Sequence, residues 1–117
     1  MFMNEDFKKI VIAQLKTISS SEEQLNYQKN VPIADVPAEL FCGWFYDVYH
    51  PETDLFKSTF SEDEQKVLAD FNDFFEKRED KIPTTSLEEM KKNIEWNEVM
   101  EKAKETLKLL NWQNKIT

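Results

Sequence analysis

Apolar side chains recur every three to four positions along most of this chain, and changes in their phase divide it into helices. Met3, Phe7, Ile10, Val11, Leu15 and Ile18 share one face of a first helix. That helix is expected to start with Asn4 as N-cap, Glu5 and Asp6 complementing its positive end, and to stop at Ser19–Ser20–Ser21. Residues 22–30 carry only Leu25 and Tyr27 as apolar positions, so a short helix and irregular chain both remain open there. Pro32 and Pro37 bracket a connection. From Ala38 the pattern favours helix over strand: Ala38, Phe41, Cys42, Phe45, Val48 and Tyr49 fall in one stripe at about 100° per residue. Trp44 lies at the edge of that stripe, and Leu40 shares the opposite face with Glu39, Gly43 and Asp47. A strand would give no polar face. His50-Pro51 ends the helix, because a residue before proline is biased away from helical geometry.

Residues 51–60 read as a connecting loop anchored by Leu55, Phe56 and Phe60. Ser61-Glu62-Asp63-Glu64 is a capping box, and Val67, Leu68, Phe71, Phe74 and Phe75 form the apolar stripe of the helix it opens. A second box, Ser86 to Glu89, starts the C-terminal region. There the phase breaks: Leu87, Met90 and Ile94 point one way, while Trp96, Val99, Met100, Ala103, Leu107 and Leu110 would lie about 170° away on a continuous helix. We favour two helices, 86–93 and 95–110. One unbroken helix would leave a stripe exposed and favour a dimer.

Composition agrees with helix and adds little else. A single glycine and four prolines leave few sites for the tight turns of a β-rich fold. The expected architecture is therefore all-α, a single-domain bundle of four or five helices spanning 1–117. The longest apolar run near the N-terminus, Ile10 to Ala13, is too short for a signal-peptide core or a membrane span. With one cysteine there is no intramolecular disulfide, and the expected location is a reducing cytoplasm.

Charge changes the picture more. Of the net −8, residues 35–80 contribute 13 acids against 4 bases, and the remainder is nearly neutral. An acidic field so concentrated repels nucleic acid and anionic membrane and attracts basic partners. The lysines of the last helix (Lys91, Lys92, Lys102, Lys104, Lys108) do not offset this, since glutamates interleave them as on a solvated face.

Candidate chemistry is sparse. Cys42 and His50 are the one possible thiol–imidazole pair, yet eight helical residues separate them by about 12 Å of rise. No zinc-ligand spacing, EF-hand loop or glycine-rich phosphate loop is present. We therefore expect no catalytic residues, no cofactor and no metal. The residues expected to contact a partner are Tyr46, whose ring suits a half-buried interface position, and the acids Asp47, Glu52, Asp54, Glu62, Asp63, Asp70, Asp73 and Glu76.

The segment carrying Pro37, Glu39, Leu40, Trp44, Phe45, Asp47, Tyr49 and Pro51, followed by Phe60, Ser61 and Glu64 and later by Trp96, Val99, Ala103 and Leu107, resembles small acidic bacterial proteins. In general character the chain is similar to the immunity proteins of bacterial toxin systems. That resemblance implies a non-enzymatic module which neutralises a basic, nuclease-like toxin. The alternative is a structural or homo-oligomeric helical domain whose charge serves solubility alone.

Overall fold

The computed structural model describes residues 4–110. Among them are seven α-helices and no strand: α1 (Asn4–Ser19), α2 (Ser21–Asn30), α3 (Val36–Cys42), α4 (Asp54–Thr59), α5 (Glu62–Glu76), α6 (Leu87–Lys92) and α7 (Ile94–Leu109). The all-α expectation holds. The number of helices is corrected from four or five to seven, of which α1, α2, α3, α5 and α7 have seven residues or more. The additional elements come from two places. Residues 21–30 form α2, capped by the Ser20 hydroxyl accepting from the Glu23 N–H, and the expected loop at 51–60 contains α4, capped likewise by Thr53.

Helix α1 lies at the centre, packed along α7 and touched by α2, α3 and α4; α5 lies against α7. Val11, Leu15 and Ile18 of α1 are fully buried, as its stripe requires. Ile12 is buried and Ile10 partly exposed, the reverse of the expected pair, because α1 is enclosed by neighbours on more than one side. Met3 lies outside the described residues. The end of α1 is held by the buried side chain of Gln24, whose Nε2 donates to the carbonyls of Thr17 (2.9 Å) and Ile18 (3.1 Å). These are carbonyls that the last turn of a helix leaves without an intrahelical partner.

The core is aromatic. Rings pass from Phe7 through Phe56, Tyr49, Trp44, Phe71 and Phe75 to Trp96, each within about 6 Å of the next. Trp44, Trp96, Phe56, Phe71 and Phe75 are fully buried, each worth on the order of 2 kcal/mol of transfer free energy. The abundant phenylalanines thus serve mainly as packing.

The C-terminal phase break is a real break. Asn93 adopts an extended conformation (φ −83°, ψ 130°), ending α6 and capping α7, its Oδ1 accepting from the Trp96 N–H at 2.7 Å. Its Nδ2 donates to the Lys81 carbonyl. Met90 and Trp96 consequently both reach the core, while Ile94, expected beside Met90, is 71% exposed.

Candidate protein-binding face

The stretch from α3 to Pro51 departs most from its expected form. Buried positions recur every four residues, at Val36, Leu40, Trp44 and Val48, rather than along the expected stripe through Cys42. The cause is a change of helix type: Gly43–Val48 is a π-helical turn, closed by a Tyr49 N–H to Trp44 carbonyl bond of 2.9 Å. The wider turn moves Trp44 from the edge to complete burial, and Cys42, at the end of α3 just before it, is exposed rather than buried. Phe41 and Phe45 are half-buried, their rings against Phe75.

Gly43, which opens this turn, is closely approached by the flexible end of the Gln14 side chain. Its backbone is ordinary right-handed helix (φ −57°, ψ −42°), but a Cβ there would meet Gln14 Nε2 at 2.6 Å. The Gln14 carboxamide of α1 crosses the space above Gly43 and donates to the Leu40 carbonyl at 3.4 Å.

The π-turn presents Tyr46 (73% exposed) and Asp47 to solvent. His50 Nε2–H donates to the Tyr46 carbonyl, and its Nδ1 lies 3.7 Å from a Glu52 carboxylate oxygen. The Nε2 hydrogen bond closes the end of the turn. Trp44 Nε1–H donates to Asn72 Oδ1 at 3.0 Å, which fixes the turn against α5 next to Asp73.

Tyr49 reports how the acids converge. Its ring stacks on Trp44 with centroids 5.3 Å apart. Burial pushes its phenol above the ordinary 10.0, and the charges of Asp73, Glu52 and Glu76 push it further the same way. Three of the expected partner-binding acids, from two separate parts of the chain, therefore act on one tyrosine. Sequence reasoning had assigned Tyr49 to the buried stripe; its place at the helix end, just before His50-Pro51, is the signal that sets it at the rim.

The other expected residues are distributed differently. Asp54 occupies the first turn of α4, and Glu62 and Asp63 the first turn of α5, where they complement the helix dipole. Glu62 and Asp63 lie about 15–20 Å along the helix from Asp73 and Glu76. Asp70 faces α7, where Lys102 Nζ holds it at 2.8 Å. Among the described residues, Asp47, Asp54, Glu62, Asp63, Asp73 and Glu76 form no ion pair, whereas Asp70 pairs with Lys102 and Glu52 has the His50 ring beside it.

A second acidic feature lies beside the turn. Glu39, Asp47 and Tyr27 contribute to a cavity of about 240 Å³ next to Gly43. A hydrogen bond to Glu39 pushes the Tyr27 phenol above 10.0, reinforced by desolvation and by the Glu39 charge. Among the described residues no group of three or more histidine, cysteine, aspartate or glutamate side chains is arranged to hold a metal ion, and no helix is long and apolar enough to cross a membrane. No family model, curated protein or solved structure matches the chain.

Proposed function

We propose that this chain is a non-enzymatic protein-binding module that holds a basic partner against the face built from Tyr46, Asp47, Tyr49, Glu52, Asp73 and Glu76. The partner we infer is a nuclease-like toxin, which the module neutralises by covering a surface evolved for phosphate. The observation that carries this reading is that the exposed carboxylates Asp47, next to Tyr46, and Asp73 and Glu76, whose charges act on Tyr49, form no ion pair among the described residues. An acid already paired within the fold must give up its counterion before it serves a partner; these need not. Complementary charge raises association rates by roughly 10- to 1000-fold, and Tyr46, exposed rather than half-buried, together with the half-buried Tyr49 supplies rigid contact area. A standard interface of about 800 Å² per partner also reaches Asp54, Glu62 and Asp63.

The test is capture of partners from the native host at low salt on the immobilised full chain. A basic protein should be retained, released by salt, and lost with the double variant Asp73→Lys/Glu76→Lys. Failure to recover any basic protein overturns the proposal. The homo-oligomeric alternative draws on exposed Ile94 and Leu109 of α7; a salt-insensitive dimer in light scattering at micromolar concentration would favour it.

A further inference from the structure

Faces of three helices meet around a cavity of about 260 Å³ between α2, α6 and α7. Each helix turns one side to it. Gln24 and Leu25 of α2 lie one turn from Ser21, Leu87 of α6 lies one turn from Lys91, and Trp96 of α7 lies one turn from Met100. The corner between α6 and α7 is held by Asn97, whose Nδ2 donates to the Lys91 carbonyl at 2.9 Å and to the Asn93 carbonyl at 2.7 Å. Trp96 is fully buried, packed against Phe41 and Phe75, so its ring is a fixed wall. The cavity is therefore formed before anything enters it.

One polar group inside it is only half used. Gln24 is 3% exposed, and the donors on its Nε2 are taken by the carbonyls of Thr17 and Ile18, with the Met100 sulfur at 3.8 Å. A carboxamide also carries an acceptor oxygen, and Gln24 Oε1 accepts no hydrogen bond within the fold. Among the described residues no fully buried side-chain nitrogen or oxygen lacks a partner. Oε1 is therefore not sealed in the core; it opens on the cavity that Gln24 lines. The walls beside this acceptor are the Trp96 indole, the Met100 thioether, Leu25 and Leu87, and a thioether favours contact with an aromatic ring. At the mouth stand Glu88 and Lys91, both exposed and of opposite sign, so the entrance carries no net charge.

We infer that this cavity binds a small, uncharged aromatic molecule of about two fused rings with one N–H or O–H group, its donor on Gln24 Oε1 and its ring beside Trp96 and Met100. Volume sets the size: a cavity of about 150 Å³ takes benzene, and drug-sized ligands need about 300 Å³ or more. The free acceptor sets the polar requirement, because a ligand without a donor would cover Oε1 and leave it unpaired. Such a molecule would tie α2 to α6 and α7. The inference goes beyond the proposed function and does not depend on it, since these three helices carry none of the residues of the acidic face.

Amide NMR of the isotope-labelled full chain, titrated with indole and with benzofuran, tests it. Benzofuran has the same two rings with an ether oxygen where indole has its N–H. Indole should give saturable shifts confined to α2, α6 and the first half of α7, with a Kd of about 1 mM or tighter. Benzofuran should bind about tenfold more weakly. Tryptamine and indole acetic acid, charged at neutral pH, should bind no tighter than indole within about threefold. Leu25→Trp, at a partly exposed position of the cavity, should fill it and abolish indole binding, with its thermal midpoint measured alongside to show that the fold is kept. The comparison of indole with benzofuran is made on the parent chain, so it stands whether or not that variant folds. Absence of saturable shifts, or shifts centred elsewhere, overturns the site. Equal affinity for indole and benzofuran overturns the role of Gln24 Oε1, and a charged analogue that gains more than threefold rejects the uncharged class. Undiminished indole binding in a folded Leu25→Trp likewise rejects the inference.

Discussion

Asp70 and Asp73 lie three residues apart on α5, and both are exposed, yet they belong to different electrostatic surfaces. Asp70 faces α7 and is held by Lys102 at 2.8 Å, beside a ring that also carries Arg78. Asp73 lies toward the π-turn, next to the Asn72 that holds Trp44, and acts with Glu52 and Glu76 on Tyr49. The two flanks of one helix thus differ through what packs beside them. A carboxylate's availability to a partner is decided by the neighbouring element, and the charge sum of its own segment does not reveal it.

The widest break in this comparison comes from removing the joint between the flanks. Phe75 is fully buried and touches Phe41 and Phe45 on the π-turn side, Phe71 along its own helix, and Trp96 of α7. Phe75→Ala should cost about 3–5 kcal/mol, much of the stability of a domain this size. Urea unfolding followed by circular dichroism measures it. A loss below about 1 kcal/mol would mean that the two sides are held together elsewhere.

A smaller change converts the paired flank into an open one. Lys102→Met should cost about 0.5–1 kcal/mol, since ion pairs with a largely exposed partner are weak. It should also release Asp70 to the acidic field, so that association with a basic partner becomes faster and more salt-sensitive. The alkaline limb carries the sign. Lys102 is held above the ordinary 10.5 by its hydrogen bond to Asp70, which outweighs the opposing effect of burial, with the charges of Asp70 and Glu105 adding to it. A raised ammonium value contributes stability fully below the unfolded value and loses it as pH rises through the folded one. Thermal unfolding compared between neutral pH and pH above 10.5 should therefore show a smaller alkaline loss in Lys102→Met than in the parent.

These differences mark how far the sequence could be read. The α5 helix was legible because its signals are local: the Ser61/Glu64 capping box is formed by both of its hydrogen bonds, and Leu68, Phe71 and Phe75 are buried in phase. The break at Asn93 was legible for the same reason. The π-turn was not, since a wider turn changes the period on which the stripe was read and displaced Trp44; Leu40 and Cys42, in α3 ahead of the turn, were misplaced because the helices packed on α3 decide which face it buries. Nor was the pairing of Asp70, because Lys102 lies far along the chain, while Glu98, four residues before Lys102, pairs with Arg78 instead. The acidic partner-binding residues were legible as a composition; their division between two flanks, and the gathering of Glu52 with Asp73 and Glu76, required the tertiary fold.

The finest test of that division uses Tyr49 as an internal probe. Ionising its phenol would place a negative charge within reach of Asp73, Glu52 and Glu76 in a half-buried site, so both burial and these charges favour the neutral form. The stability tied to the neutral phenol is fully present below pH 10.0 and is lost as pH rises through the raised folded value. Neutralising the open flank with Asp73→Asn/Glu76→Gln should lower the Tyr49 titration toward 10.0 without reaching it, because burial, the larger cause, remains. Asp70→Asn, on the paired flank, should leave it where it is. Phenolate absorbance against pH, with Tyr49→Phe subtracted to separate it from the other two tyrosines, reads the shift directly. Equal responses to the two changes would show that the flanks share one field; a response confined to Asp73→Asn/Glu76→Gln would establish that these acids act together on Tyr49 and apart from Asp70, which Lys102 holds.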